Sequence, residues 1–254
     1  MSAAHTAFLK YPRLPSGIVH TMLISGEFPA YAHALEQRDI LVYRTIADDR
    51  LDLPVQFHPD MQFCDFGEGN MLALKGSALC ESLFEDGFSV SETARTPQKS
   101  YPNDVLCNVL LVGEHAFGNP RSLDSRILEE IHQRNYQFHA VKQGYAACSA
   151  CVVDKTSMIT ADMGIYKAGI RAELEVLLIA QGGILLKGYE MGFIGGCCGK
   201  IAFDEMVFTG RLCTHASGKE IRRFLESRNI RITELSDTPL VDIGGIIPLR
   251  EKIL

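Results

Sequence analysis

The sequence contains no tryptophan, no long apolar run, no cluster of basic residues and no glycine-rich nucleotide-binding loop. Without an apolar run of bilayer length or a hydrophobic N-terminal core, neither a membrane span nor a secretory signal is expected. Without a basic cluster, and with a formal net charge of −6, a nucleic-acid partner is not expected. The sequence therefore predicts a cytoplasmic globular protein that needs no cofactor.

Cysteine is abundant by comparison, with eight residues in 254. Thiols stay reduced in the cytoplasm, so disulfides are not expected there. Cysteines in such a chain act as buried apolar residues, metal ligands or reactive thiols. The stretch "GFIGGCCGKI" is unusual because Cys197 and Cys198 are adjacent and have glycines on both sides.

Five amphipathic helical patterns recur along the chain, each preceded by an apolar run and followed by a short β-type run. The β-type runs start 48, 48, 48 and 46 residues apart, at Ile40, Phe88, Tyr136, Ile184 and Ile230. This regularity predicts five strand–helix–strand units, near residues 20–45, 71–93, 108–142, 158–189 and 206–235.

A regular repeat of this kind must bury the apolar faces of its first and last units. Neither terminus has the polar character of a capping repeat, so closing the five units into a ring is the simplest solution. An ordinary doubly wound α/β sheet is the alternative, but it does not require an even spacing. The predicted fold is a single α/β domain over residues 1–254, a five-bladed α/β propeller.

Several local patterns make finer predictions. The apolar spacing after Met163 predicts one helix that reaches Gly182. Ser77 is expected to cap the helix that ends at Gly87, and Ser217 with Glu220 has the spacing of a capping box.

The segments that join one unit to the next contain most of the chemically active residues. Cys64, Cys151 and Cys198 lie seven, seven and eight residues before the methionine of the apolar run that follows each of them. In a ring, equivalent positions converge near the axis. We therefore expect thiols, carboxylates and one imidazole to meet there, among them His58, Asp60, Asp65, Glu68, Asp154 and Asp242.

This arrangement resembles the pentein superfamily of guanidino-group-modifying enzymes, which includes the arginine deiminases and the amidinotransferases. "HPDMQF" from His58 is similar to the His-x-Asp element of that superfamily, and "GGCCGK" is similar to the glycine-rich segment that carries its nucleophilic cysteine. His58 and Asp60 are expected to share one face of an extended segment.

The resemblance implies a cysteine-dependent hydrolase or transferase that acts on a cationic guanidine or amidine. It implies Cys197 or Cys198 as the nucleophile, His58 as the general acid and base, and Asp60 as the group that binds the substrate cation. Asp242, a residue of the last joining segment, is a second candidate to face the centre and bind the cation. Carboxylates suit a planar cation, and a thiolate suits attack on its carbon. One feature departs from the superfamily: the C-terminal segment "DIGGIIPL" contains no thiol.

Two alternatives belong to other functional classes. Cys148 and Cys151 form a Cys-x-x-Cys pair, which with Cys197 and Cys198 would supply four zinc ligands. A non-catalytic protein of the pentein fold would instead bind a small molecule or a protein through the centre. Partners of either kind, and an oligomer, are compatible with the sequence.

Overall fold

The structure is a computed structural model that describes residues 5–253. In chain order its strands are β1 (Thr6–Phe8), β2 (Val19–Ile24), β3 (Leu41–Arg44), β4 (Phe63–Asp65), β5 (Asn70–Ala73), β6 (Ser89–Glu92), β7 (Leu110–Val112), β8 (His115–Gly118), β9 (Gln137–Ala140), β10 (Ala150–Asp154), β11 (Ser157–Thr160), β12 (Glu175–Leu178), β13 (Ile184–Leu185), β14 (Cys198–Ala202), β15 (Glu205–Phe208), β16 (Arg231–Glu234), β17 (Leu240–Val241) and β18 (Ile247–Lys252). Its α-helices are α1 (Pro29–Glu36), α2 (Pro59–Gln62), α3 (Cys80–Glu85), α4 (Ser125–Gln133), α5 (Met163–Arg171) and α6 (Gly218–Glu226). None of these helices has the length and apolar character that crossing a membrane would require.

The same small sheet is built five times within residues 5–253. Four sheets have the orders β4-β5-β6, β7-β8-β9, β10-β11-β12 and β14-β15-β16. In each, the first two strands are antiparallel and a helix leads to a third, parallel strand. In the fifth sheet, β1-β18-β2-β3, the antiparallel partner of β2 is the C-terminal strand β18. The two ends of the described chain therefore complete one sheet together.

The connecting helix of each unit, α1, α3, α4, α5 or α6, ends with the same backbone conformation. The residue two positions before the parallel strand has a positive φ in every unit, namely Asp39, Gly87, Asn135, Glu173 and Asn229. A left-handed residue after the last helical turn is a common helix terminator that turns the chain sharply. The chain can then return to pair beside the strand that entered the helix.

The fourth unit corrects the predicted spacing. Its helix α5 ends at Arg171, and β12 is the parallel strand, so neither the long helix to Gly182 nor the unit 158–189 forms as predicted. The parallel strands start at Leu41, Ser89, Gln137, Glu175 and Arg231, which gives spacings of 48, 48, 38 and 56 residues. The predicted strand at Ile184 exists, but it pairs with β17 in a separate two-stranded sheet.

Two predicted helix caps are also wrong in detail. Helix α3 has Leu79 at its N-cap and Cys80 as its first helical residue, so Ser77 lies outside the helix. Ser217 is the N-cap of α6, but its side chain makes no capping bond and instead accepts from the backbone N–H of Ala180. The serine therefore ties the helix start to the preceding connection rather than to its own first turn.

Five apolar clusters fill the space between the sheets. One combines side chains of β2 and β18 with those of β5 and α3, and others join the second to the third, the third to the fourth and the fourth to the fifth unit. The remaining cluster packs Ile201 and Val207 of the last unit against Met22 and Ile24 of the first. Burial of these side chains is the main favourable contribution to folding.

Candidate active site

Five segments, which precede strands β4, β7, β10, β14 and β18, meet through a circuit of hydrogen bonds. Asn108 Nδ2 donates to Asp60 O (3.1 Å), and Ala147 N donates to Asn108 Oδ1 (2.8 Å). Gly195 N donates to Cys148 O (2.8 Å). The circuit closes where Ile243 N donates to Gly196 O (2.9 Å) and Asp60 N donates to Gly244 O (3.3 Å). Residues far apart in sequence thus become neighbours at one place.

A cavity of about 360 Å³ lies at this meeting point. Its floor contains the buried side chains of His58, Cys148 and Asp242, and its mouth contains the exposed Tyr189 and Glu190. Its remaining lining residues are Val55, Tyr145, Leu186, Met191 and Phe193. A concave site with apolar walls and a few polar groups at its base is the usual form of a small-molecule site.

Backbone donors fix the carboxylate of Asp242. Its Oδ1 accepts from Gly244 N (3.0 Å) and its Oδ2 accepts from Phe193 N (2.8 Å). The side chain is 1% exposed. Since a carboxylate offers about four lone-pair positions, each oxygen keeps capacity for a ligand donor after these two bonds.

The glycines of "GFIGGCCGKI" make room for this carboxylate. A Cβ atom on Gly196 would overlap the carboxylate of Asp242, and a Cβ on Gly192 would overlap its Cβ. A Cβ on Gly195 would meet the carbonyl oxygens of Ala147, Cys148 and Ala150. The glycine-rich segment is therefore a packing surface for Asp242 and the Cys148 turn.

The substitution Gly196→Ala is expected to lower the free energy of unfolding by about 1–3 kcal/mol, because overpacking a tight site costs that much. It should also displace Asp242. Urea titration measures the first effect. The control is Gly17→Ala, whose added Cβ would lie in ordinary contact with Lys252 O at 3.4 Å. Equal stability of the two variants would contradict the packing role given to Gly196.

His58 reaches the cavity from the N-terminus of α2, not from an extended segment. The prediction of an extended His-Pro-Asp run is wrong because Pro59 begins a one-turn helix with His58 at the N-cap. The imidazole Nδ1 lies 3.8 Å from Asp242 Oδ1, and Nε2 is buried with no hydrogen-bond partner among residues 5–253. Burial lowers the pKa of His58, and the Asp242 charge opposes this shift. The ring is therefore neutral at neutral pH.

Cys148 is the thiol that lies with these groups. Asn108 Nδ2 donates to its sulfur at 3.1 Å, and the Asp60 carboxyl lies beside it, although that contact falls outside good hydrogen-bond geometry. Burial first, and then the charge of Asp60, raise the pKa of Cys148 well above its ordinary value. Without a ligand, Cys148 is therefore a protonated thiol.

Asp60 lines a second, smaller cavity that Cys148 does not line. This space of about 20 Å³ is lined by Asp60, Arg13, Asp65 and other residues, and its size fits about one water molecule. Burial, and then the charge of Asp242, raise the pKa of Asp60 to about 7, while Arg13 opposes the shift. Asp65 also has a pKa of about 7 because of burial. Arg13 was not anticipated from the sequence.

The raised pKa of Asp60 gives a testable dependence of stability on pH. The folded state holds the extra proton between 3.8, the ordinary value, and about 7, so this contribution to stability is complete below pH 3.8. It is lost as the pH rises through 7. The stability of Asp60→Asn, measured relative to the parent, should therefore rise by roughly 2–3 kcal/mol between pH 5 and pH 8.

Urea titrations of both proteins at the two pH values measure this difference. Asp237→Asn is the matched control, since the side chain of Asp237 is 89% exposed, and it should show no such change. If the difference in unfolding free energy between Asp60→Asn and the parent is the same at pH 5 and pH 8, the protonation assigned to Asp60 is contradicted.

Cys197 and Cys198, the thiols predicted to be the nucleophile, lie in the apolar cluster between the fourth and fifth units. Their sulfurs each donate to Ile194 O at 3.2 Å, and neither lines the cavity. Burial raises the pKa of Cys197, and contact with the Cys151 thiol, together with burial, raises that of Cys198. Their role as nucleophile stays a prediction without support from their surroundings.

The four cysteines of the zinc alternative do not form one cluster. Cys148 contacts Asn108, whereas the Cys151 sulfur contacts the sulfur of Met206 at 3.4 Å and the thiol of Cys198. Within residues 5–253, no group of three or more histidine, cysteine or acidic side chains has the arrangement to hold a metal ion.

Comparisons with known proteins agree with this architecture. A model of the family described as "Family of unknown function (DUF6873)" matches residues 23–247. No curated protein gives a significant sequence match. Among solved structures, the chain is similar to the inosamine-phosphate amidinotransferase of Streptomyces griseus, with a TM-score of 0.59 and 10% identity over 98% of each chain.

Two further solved structures have the same fold. The DDAH of Pseudomonas aeruginosa, in complex with citrulline, gives a TM-score of 0.55 at 10% identity, over 93% of this chain and all of that one. The agmatine deiminase of C. jejuni gives 0.51 at 8% identity, over 93% and 92% of the two chains. The mixed α/β fold is therefore that of the pentein superfamily, which confirms the resemblance drawn from the sequence at the level of the fold.

Proposed function

Because the chain belongs to the family of unknown function DUF6873 and has the pentein fold, we propose that it is an enzyme acting on a cationic guanidine or amidine. Cys148 is the nucleophile, His58 the general acid and base, and Asp242 the carboxylate that binds the cation. The observation that carries the proposal is that these three buried side chains line the floor of one cavity.

Electrostatics support the choice of a cationic ligand. Asp242 is buried, and two backbone N–H groups hold it in place. Glu190 at the mouth adds a second acidic side chain, and no lysine or arginine is among the residues that line the cavity. A buried carboxylate binds a planar guanidinium by charge-assisted, bidentate hydrogen bonds. Such a cation would also neutralise the negative field that now opposes ionisation of Cys148.

The bound cation can therefore activate the nucleophile. Once it lies against Asp242, its charge lowers the pKa of the neighbouring thiol. The thiol proton passes to the neutral imidazole of His58, and the sulfur attacks the central carbon of the guanidinium. Asp60, beside the sulfur, orients the thiol from behind.

The remaining steps need only water or an acceptor amine as a second reactant. The C–S bond forms, one C–N bond breaks, and the leaving amine or ammonia takes the proton from His58. His58 then removes a proton from water, whose oxygen replaces sulfur on the carbon and restores the thiol. An amine in place of water makes the reaction a group transfer.

We further propose that the five sheets close into a five-bladed propeller and form one domain. The support is that each apolar cluster joins two consecutive units, including the last with the first. The closed hydrogen-bond circuit around Asp60, Asn108 and Gly196 supports it independently. A cytoplasmic location stays a prediction from the sequence.

Two observations favour a second candidate, a binding protein without catalysis. Cys148 is fully buried with a strongly raised pKa, and "DIGGIIPL" contains no thiol. If ligand binding does not ionise Cys148, the same cavity would retain a guanidine without cleaving it.

One experiment separates these functions. The protein is incubated with a panel of guanidines and amidines, with and without an acceptor amine, and products are followed by mass spectrometry. The enzyme proposal predicts release of an amine or ammonia together with a urea, an amide or a transferred amidino group. Binding by calorimetry with no product from any compound would instead support the binding protein.

A further inference from the structure

The walls of the cavity that contains His58, Cys148 and Asp242 indicate the chemical character of the part of the ligand that does not react. This part of the site is formed by three aromatic and three aliphatic or thioether side chains, namely Tyr145, Tyr189, Phe193, Val55, Leu186 and Met191. The rings of Tyr145 and Phe193 stack with centroids 6.2 Å apart and an angle of 25° between their planes. A flat apolar surface therefore rises from the polar floor towards the mouth.

The two tyrosines contribute ring carbon rather than hydroxyl to this wall. Tyr145 Oη donates to Asp104 (2.6 Å) and Tyr189 Oη donates to Asp52 (3.1 Å). Neither aspartate lines the cavity. The hydroxyls are thus engaged outside it, and the bonds hold both rings in place.

The charges in the cavity exclude one common type of ligand. Its lining contains two acidic residues, Asp242 on the floor and Glu190 at the mouth, and no lysine or arginine. A carboxylate on the ligand would find no cationic side chain in this lining, whose polar groups besides the two acids are the neutral imidazole of His58 and the thiol of Cys148. Burying such a group without a partner is costly.

From these observations we infer that the substrate is a guanidine or amidine with an apolar, planar body and no carboxylate. Its cationic end contacts Asp242, and its body lies against the rings of Tyr145, Phe193 and Tyr189. A cavity of about 360 Å³ is within the size range of sites for small organic ligands. This inference rests on the proposed function and specifies its substrate class.

Calorimetric titration with four compounds tests it: benzylguanidine, methylguanidine, arginine and benzylurea, the last a neutral analogue of the first. We expect benzylguanidine to bind about 10-fold or more tightly than methylguanidine, since its ring buries apolar area. Arginine should bind more weakly than methylguanidine. Arginine binding as tightly as benzylguanidine would overturn the inference and leave the guanidine site intact.

The neutral compound separates the two proposals. If benzylurea binds as tightly as benzylguanidine, the apolar wall is supported, but the cation site of the proposed function fails. If none of the four binds, both proposals fail. The inference predicts that benzylurea binds at least about 10-fold more weakly than benzylguanidine, since it lacks the charge that Asp242 holds.

Two variants of Tyr189 test whether its ring contacts the apolar body of the ligand. This residue is 42% exposed, so its replacement should leave the melting temperature almost unchanged. Tyr189→Ala should reduce the advantage of benzylguanidine over methylguanidine several-fold. Tyr189→Phe should retain most of it, because the ring remains although its bond to Asp52 is lost. An unchanged advantage in Tyr189→Ala would show that the ring does not contact the ligand and would overturn the assigned wall.

Discussion

Replacing Cys148 by alanine is expected to lower turnover of the best guanidine substrate by at least about 1,000-fold, because no other group replaces a lost nucleophile. The parent Cys148 lies on the cavity floor with His58 and Asp242. Ligand binding should persist, since the cation contacts Asp242. The measurement is the initial rate of amine or ammonia release, with affinity from calorimetry on the same preparation.

Two neighbouring thiols provide matched controls. Cys197→Ala and Cys198→Ala remove sulfurs that lie in an apolar cluster, so each is expected to cost about 1 kcal/mol of stability and to leave the rate within a few-fold. If Cys197→Ala or Cys198→Ala abolishes turnover while Cys148→Ala retains it, the original prediction from "GGCCGK" is right and the site described here is not.

The substitution Asp242→Asn is expected to weaken binding of a guanidinium by about 100-fold or more, because it removes the buried charge. It should also cost about 1–3 kcal/mol of stability. Both oxygens of Asp242 accept from backbone N–H groups, of Gly244 and Phe193. An asparagine has one oxygen, so its amide NH₂ would face one of those donors.

Calorimetry measures the loss of affinity and urea titration the loss of stability. Asp237→Asn removes one charge from an exposed pair with Arg211, and should change neither quantity appreciably, since surface ion pairs contribute about 0–1 kcal/mol. Guanidinium affinity equal to that of the parent in Asp242→Asn would exclude Asp242 as the cation-binding group.

Most of the repeat could be predicted from apolar spacing, and the failure in the fourth unit has a definite cause. Ala172 and Val176 continue the apolar spacing of the predicted helix, yet the helix ends before them because Glu173 adopts a positive φ. Glycine or asparagine at that position signals a helix end in three other units, and glutamate does not. Pairing of β12 with β11 then stabilises the strand, an effect of tertiary structure that no local pattern contains.

The candidate site was predicted in part. His58 and Asp242 do line one cavity, because segments at equivalent places in a repeat meet. The choice of thiol could not be read in the same way. Glycines beside Cys197 and Cys198 suggested an open backbone, but they leave room for Asp242 and for carbonyl groups. Which cysteine reaches the cavity depends on the fold of the connections, because Cys148 lies in the turn before β10 and Cys197 in a short 3₁₀ helix before β14.

The most direct test of the account compares chloroacetamidine, a cation, with its neutral analogue chloroacetamide, and locates the modified cysteines by mass spectrometry at pH 7. Cys213 is exposed and should react with both at similar rates, as an internal reference. Normalised to Cys213, Cys148 should react with the cation about 10-fold or more faster than with the neutral reagent, since Asp242 attracts the charge beside the thiol. Equal normalised rates at Cys148, or modification of Cys197 or Cys198 before Cys148, would contradict the account.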